Sequence, residues 1–432
     1  MYYKLTRVLL HYFYYFLKGS TMNRFLANSI EKIVSKEGKK FLDMTRDYDS
    51  SLLLYQEAQN PSLYVHIPFC QKLCPYCSFN RYPYQEELAI QYFKALGQEV
   101  HYYKNKGFDF HEVYFGGGTP TINIPLLRNF IETLHTHFSI QEISIEANPI
   151  DLTEETIREL QQMGINRLSI GVQSFKNELL VDMGRRSHTS EEAIRAIERV
   201  GDRFNTVNID FIFNFPNQKL EDFYNDIQIM KKVGVNQATF YPLMPSPHKQ
   251  SALERKFHTI DTKREFSFYQ MLQNEMKREF QPSTCWCFSK GDQRIDEYII
   301  HHPEYVGLGA GSVGFLQNTF FVNTFHPKKY IEQIQQNEVS IVMHKKASKK
   351  EAARYFMLTQ LFGMKLDSKE LTNRYQNAVL PELLLLQASS IIKKRGDHYV
   401  TTTKGMYYIG LMMKHFFIGL NGLREICIQN QL

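Results

Sequence analysis

Tyr64-Val-His-Ile-Pro-Phe-Cys70-Gln-Lys-Leu-Cys74-Pro-Tyr-Cys77-Ser-Phe79 decides how this chain is read, because three of its six cysteines fall inside eight residues there. Thiolates spaced Cys-x3-Cys-x2-Cys can wrap one small inorganic centre, and soft sulfur ligands select zinc, copper(I) or iron–sulfur clusters. A structural zinc site wants four ligands, usually on two short knuckles far apart in sequence, whereas here three thiolates share one loop with no obvious fourth nearby. Three thiolates on a four-iron cube leave one iron without a protein ligand, open to a substrate or cofactor.

Working outward, the 432-residue chain is long enough for two or three domains, and its low cysteine count gives no disulfide framework and points to a reducing cytoplasm. Its net charge of +6, from 51 basic and 45 acidic residues spread along the chain, is too mild to argue for nucleic acid, though it suits an acidic redox donor or a carboxylate-bearing substrate. The apolar run Val8–Leu17 is too short to span a membrane, which takes roughly 20 residues. It is read as an amphipathic helix packed on the body, and Met22 is a candidate start.

From about residue 61 to 245, β-branched runs alternate with helix-like stretches, the pattern of repeated βα units on a parallel sheet. The expected strands are Leu63–Pro68, Glu112–Phe115, Ile143–Glu146, Arg167–Val172, Val207–Phe213 and Ala238–Leu243. Helices open at Thr153, Ser190 and Glu221 and stop at Gly164, Gly201 and Gly234. The unusual residues fall at or near the ends of these strands: the cysteine loop, then Gly116-Gly-Gly-Thr119-Pro120, Glu146-Ala-Asn148-Pro149, Gln173 and Asp210. Polar residues gathered at the C-terminal ends of parallel strands build one pocket in a TIM-like architecture.

The spacing Cys70-x3-Cys74-x-Tyr-Cys77 behind Tyr-x-His-x-Pro-Phe resembles the signature of radical S-adenosylmethionine (SAM) enzymes. More narrowly it resembles their oxygen-independent coproporphyrinogen III oxidase-like branch. The resemblance implies an α/β fold, a partial (βα)6 TIM-like barrel with a C-terminal helical and winged domain. The expected division is an N-terminal helical segment 1–60, the barrel core 61–260, a barrel-closing glycine-rich segment 261–345 and the C-terminal domain 346–432. It further implies a [4Fe-4S] cluster on Cys70, Cys74 and Cys77, with SAM on the open iron cleaved to a 5′-deoxyadenosyl radical. By the same resemblance, Gly117, Gly118 and Thr119 contact the methionine part of SAM, and Glu146 binds SAM together with Tyr64. Tyr76, Gln173, Arg185 and Asp210 match positions that surround a second SAM in coproporphyrinogen III oxidase. Residue by residue, blander roles stand beside these: a turn for the glycines, a rim salt bridge for Glu146, a rim cation for Arg185 with Asp210 as its buried partner. His66 is read as a supporting or core histidine rather than a ligand. No catalytic residue is assigned.

The family implies a tetrapyrrole substrate or haem and a flavodoxin- or ferredoxin-type electron donor. Two departures bear on the reaction: Phe79 stands where the oxidases carry a further cysteine, and Asn214 in Phe213-Asn-Phe-Pro216 where they carry glycine. Oxidative decarboxylation of propionates is the leading expectation, with haem breakdown by radical methyl or adenosyl chemistry as a rival. A haem chaperone is the reading from another class, although its His-Asn-x-x-Tyr-Trp element is replaced here by Cys285-Trp286-Cys287. That pair of cysteines can be core, redox thiols or ligands, and on an extended strand would share one face. Past about Lys345, helices around Tyr355–Met364 and Leu380–Ile392 precede Lys393–Gly405, a turn with a β-branched strand. This small basic wing has no recognition helix to bind DNA.

Overall fold

The computed structural model describes residues 20–46, 61–257, 262–291, 298–337 and 339–432. The apolar run Val8–Leu17 lies outside the described residues. Six parallel strands follow one another as expected: β1 (Ser62–Ile67), β2 (Glu112–Gly117), β3 (Glu142–Ala147), β4 (Arg167–Gln173), β5 (Thr206–Phe213) and β6 (Gln237–Pro242). Their order in the sheet is their order in the chain, which right-handed βα crossovers produce when each helix returns the chain to the same edge. Leu63, Val65 and Ile67 are fully buried, as are Leu168, Ile170 and Val172, because helices cover one face and the strands' own inward side chains fill the other.

The intervening helices carry the end signals read from the sequence. Helix Ser190–Val200 opens on a capping box, with Glu192 N donating to Thr189 Oγ1 at 3.3 Å and Thr189 N donating to the Glu192 carboxylate at 2.7 Å. It stops at Gly201, where φ is +55°, a backbone that glycine adopts without penalty.

Beyond β6, the sheet continues antiparallel through β7 (Gln281–Pro282) and β8 (Cys287–Ser289), with β8 against β6. On the other side, β9 (Tyr305–Leu308) lies parallel to β1, and β10 (Val313–Leu316), β11 (Thr319–Asn323) and β12 (Ile341–Lys346) extend it antiparallel. The twelve strands therefore form one open mixed sheet with edges at β12 and β7. The segment after residue 300 adds β9 directly beside β1, next to the cysteine loop.

Two compact units result. One holds the sheet: Met44–Pro282, Trp286–Lys346 and Leu420–Leu432. The other gathers helix Ser20–Phe41, Ser283–Cys285 and Ala347–Gly419. In this second unit a three-stranded antiparallel sheet, with His398–Thr401 between Lys365–Asp367 and Ile392–Arg395, forms the small wing. The helix expected over Leu380–Ile392 ends at Ala388, since Ser390 takes φ +58° and turns the chain into the strand at Ile392. Phe41 stacks on Tyr355 at 5.5 Å, and Arg354 pairs with Glu37 and Glu382, which fixes the N-terminal helix within this unit.

Candidate functional site

The cysteine loop leaves β1 through a two-residue strand, Phe69–Cys70, paired with Tyr82–Pro83. Cys70 is buried, while Cys74 and Cys77 are partly exposed. Arg81 holds the loop's shape by donating from Nη2 to the carbonyl oxygens of Cys74 and Cys77, the latter at 2.9 Å. An apolar wall of Tyr76, Met183, Phe215, Leu243 and Leu253 packs against Cys74 and Cys77, so the thiols sit between solvent and a water-poor face.

The glycine run after β2 locks onto this loop. A Cβ on Gly118 would stand 2.6 Å from Phe69 O and 3.0 Å from Cys70 Sγ, so only glycine allows the two segments this close. Gly117 takes φ +115°, and a Cβ there would meet the His66 ring at 2.7 Å. Thr119 Oγ1 then donates to Cys70 Sγ at 3.6 Å. Burial pushes the Cys70 thiol up to about 11 with Thr119 opposing, so a ligated thiolate there needs positive charge from what it binds.

His66 is a brace, as read from the sequence. Its Nε2 lies 2.8 Å from Asn80 O and its Nδ1 2.9 Å from Tyr64 Oη. Burial lowers its pKa to about 4, so the ring is neutral, donates to Asn80 O and accepts from Tyr64. Tyr64 stacks on Tyr114 at 6.1 Å. Tyr114 in turn donates to Glu146 Oε1 at 3.0 Å, and Gly117 N donates to Glu146 Oε2 at 3.2 Å. Glu146, at the end of β3, is thus aimed at the glycine run, with Tyr64 beside it.

Asn148 links the two halves of the site. It donates from Nδ2 to Thr119 Oγ1 at 3.0 Å and to Asp151 Oδ2 at 3.1 Å, and its Oδ1 accepts from Arg185 Nη2 at 2.9 Å. Arg185 also donates to Gly171 O and, from Nη1, to Tyr76 Oη at 3.2 Å. Hydrogen bonds therefore run from Cys70 through Thr119, Asn148 and Arg185 back to Tyr76, which sits between Cys74 and Cys77.

Gln173 occupies a bulge at the end of β4 with φ +74°, and Gly171 lies against both Arg185 and Gln173. Asp210 is placed further along the sheet, accepting from Ser169 Oγ and Asn208 Nδ2, each at 2.8 Å. The structure thus joins Tyr76 and Arg185 directly and gives Asp210 its own polar group on β4 and β5.

Asn214 takes φ +61°, a left-handed region that glycine enters freely, and asparagine is among the side chains that tolerate it best. Either residue suits the backbone at this position. Phe79 is 60% exposed on the cysteine loop. Cys285 and Cys287 are both buried, but they belong to different compact units, and the strand begins only at Cys287. Burial raises the Cys285 thiol well above its usual range. These are features of packed core cysteines.

Sequence reading placed Asn148 among the strand-end residues after β3 but gave it no role. It missed the support under the glycine segment after β9. Tyr92 donates to His66 O at 2.8 Å and accepts from Ala310 N at 2.7 Å. Glu99, fully buried, accepts from Gly309 N, Asn323 Nδ2 and Tyr330 Oη.

The donor set fits a cluster. Among the described residues no three His, Cys, Asp or Glu side chains stand close enough together to hold a single ion. A four-iron cluster takes each thiolate on a separate iron, so the three thiols of this loop, braced by Gly118, Thr119 and Arg81, need not converge on one ion. No helix among the described residues is long and apolar enough to cross a membrane.

Residues 64–230 match the radical SAM superfamily. The heme chaperone HemW of Bacillus subtilis is 29% identical over 290 residues, 63% of this chain and 76% of that protein. The oxygen-independent coproporphyrinogen III oxidase of Escherichia coli is 27% identical over 326 residues, 68% of this chain and 70% of the relative. The solved structure of coproporphyrinogen III oxidase (HemN) from E. coli shares the fold with a TM-score of 0.74 at 21% identity, covering 87% of this chain and 95% of its own.

Proposed function

Given that the chain carries a radical SAM domain over residues 64–230, we propose that it is a SAM-cleaving enzyme acting on a tetrapyrrole. The observation that supports this most is the closure of the glycine run onto Cys70, with Thr119 bonded to its sulfur and Glu146 bonded to Gly117 N. Such an arrangement serves a cofactor that touches both the cluster and the glycine backbone.

In this reading Cys70, Cys74 and Cys77 hold a [4Fe-4S] cluster. Bound there, cluster and SAM would supply radical hydrogen-abstraction chemistry. Gly117 and Gly118 bring bare backbone to the methionine end of SAM, and Thr119 orients there while donating to Cys70. Glu146, held by Tyr114 and Gly117 N, offers a carboxylate oriented in advance for hydroxyl or amino groups of the nucleoside, with Tyr64 alongside. Arg185, fixed by Asn148 and Tyr76, presents positive charge on the far side, and with Gln173 and Asp210 it is the candidate surround of a second SAM. Met183, Phe215 and Leu243 keep water from the thiols.

The leading reaction is oxidative decarboxylation of propionate side chains, as in the coproporphyrinogen III oxidase relatives, in the cytoplasm and with a flavodoxin- or ferredoxin-type donor. The heme chaperone name of the B. subtilis relative favours a second reading, in which haem is bound and passed on unaltered. Anaerobically reconstituted protein with SAM and reductant, offered coproporphyrinogen III or haem, separates them by product mass. Carboxyl loss from coproporphyrinogen supports the oxidase reading. Haem recovered intact from a tight complex, with coproporphyrinogen unchanged, supports the chaperone.

A further inference from the structure

Three cations converge on the outer side of the cysteine loop, and the SAM contacts above do not use them. Arg81 sits under the loop, spending Nη2 on the carbonyls of Cys74 and Cys77. Its Nε and Nη1 are buried without a hydrogen-bond partner among the described residues. Arg424, from the C-terminal stretch that belongs to the same compact unit, is 8% exposed, and its Nε is likewise buried and unpartnered. It lies within electrostatic reach of Cys77, Arg81 and Tyr82. Lys249, on helix Pro247–Phe257, lies within electrostatic reach of Arg81, Arg424 and Cys77; its N donates to Ser246 Oγ at 3.4 Å, and Ser246 N donates to Ser78 Oγ at 3.1 Å, next to Cys77 in the loop. Among the described residues, the carboxylate that accompanies them is Glu425, which accepts from Ser246 Oγ.

Packing two guanidiniums and an ammonium together with one carboxylate is unfavourable unless something negative completes the group. Burial and mutual repulsion depress the pKa of Lys249, as burial does that of Arg424. The neighbour that can complete it is the thiolate loop itself, since three ionised cysteines carry negative charge and Cys77 is within electrostatic reach of both side chains.

We propose that Lys249 and Arg424, together with Arg81, are the counter-charges of the centre held by Cys70, Cys74 and Cys77, and that they raise its reduction potential. An electron added to the cluster is stabilised by cations that the protein shields from full solvent screening. The C-terminal stretch thereby becomes a tuning element of the redox site rather than a cover alone. Lys249 and Arg424 act as positioning residues through the cluster; Arg81 also holds the loop and is left unaltered in the test.

The inference rests on the cluster reading above, and one experiment distinguishes the two. Reconstituted wild-type, Lys249→Gln, Lys249→Arg and Arg424→Gln proteins are titrated anaerobically against potential, with the reduced cluster followed by electron paramagnetic resonance and iron content measured in each. At a fixed potential the ratio of reduced to oxidised cluster falls about tenfold in each Gln variant, equal to ~59 mV for one electron. Lys249→Arg retains the wild-type ratio, which a purely packing role for Lys249 would not require. Should Arg424→Gln lose its iron, the Lys249 pair carries the test. Wild-type ratios in Lys249→Gln, or an equal shift in Lys249→Arg, overturn the proposal and leave the cluster reading standing. A wild-type protein without a cluster overturns both.

Discussion

Arg185 Nη2 donates to Asn148 Oδ1 at 2.9 Å, and through that bond the far wall of the site is tied to Thr119 and so to Cys70. The Asn148 side chain both accepts from the arginine and donates toward the cysteine loop.

Replacing it with alanine is expected to weaken SAM binding roughly tenfold, because a part-buried hydrogen bond to a charged group contributes about 1.5 kcal/mol. Iron content stays near the wild-type value, since no cysteine loses its place. Calorimetric or fluorescence titration of reconstituted Asn148→Ala with SAM checks this. Wild-type affinity would show the link to be ornamental.

Gly118→Ala is predicted to lose most of its iron and at least about 1–3 kcal/mol of stability, as overpacking does in a closed site. The added methyl meets Phe69 O at 2.6 Å and Cys70 Sγ at 3.0 Å, and backbone has nowhere to go. Gly97→Ala is the control: it sits within helix Glu86–Asn105 with nothing within 4 Å of the new carbon. That variant gains up to about 1 kcal/mol in urea unfolding from helix propensity alone.

At Asn214 the left-handed backbone makes a sharp comparison. Asn214→Gly keeps that conformation freely, whereas Asn214→Ala strains it, so the alanine variant unfolds about 1 kcal/mol more easily than the glycine one. Equal stabilities would contradict the backbone explanation for the departure from the oxidases.

Burial raises the pKa of Glu99 to about 7 against the bonds from Tyr330, Gly309 N and Asn323, which lower it. The folded protein holds this proton more tightly than the unfolded chain, so its contribution is full below pH 4.5 and lost as pH rises through about 7. Asp226 is also pushed up to about 7 by burial, so the difference from Glu99→Gln isolates the one carboxyl. Wild-type stability relative to Glu99→Gln should fall by about 3 kcal/mol across that window. A difference independent of pH would place the proton elsewhere.

Much of this site was legible in the sequence for a simple reason. Period-two alternation marks β1 to β5, and the residues that follow a parallel strand are brought to one end of the sheet whatever the helices between them do. The cysteine loop stood out by its thiol spacing, and Glu146 and the glycine run were placed beside it by the strands they end or follow, their roles coming from the family resemblance. Tyr92, Glu99 and Asn323 were not, because a polar residue on an amphipathic helix or an antiparallel strand looks like a solvated face until the segment that buries it is known. Arg424 is the extreme case: nothing local distinguishes it from any charged residue of a terminal helix, and its meaning comes from Cys77 and Arg81, far away in sequence. Asn214 was read as a chemical departure, and only its φ shows that the position asks for a left-handed backbone.

The most direct test of the central claim is formation of 5′-deoxyadenosine from SAM by the anaerobically reconstituted, reduced protein, measured beside a variant with Cys70, Cys74 and Cys77 all changed to alanine. The account predicts 5′-deoxyadenosine from the wild type, and neither bound iron nor product in the triple variant. Full iron content in the triple variant, or no 5′-deoxyadenosine from a wild type that carries its cluster, would contradict it.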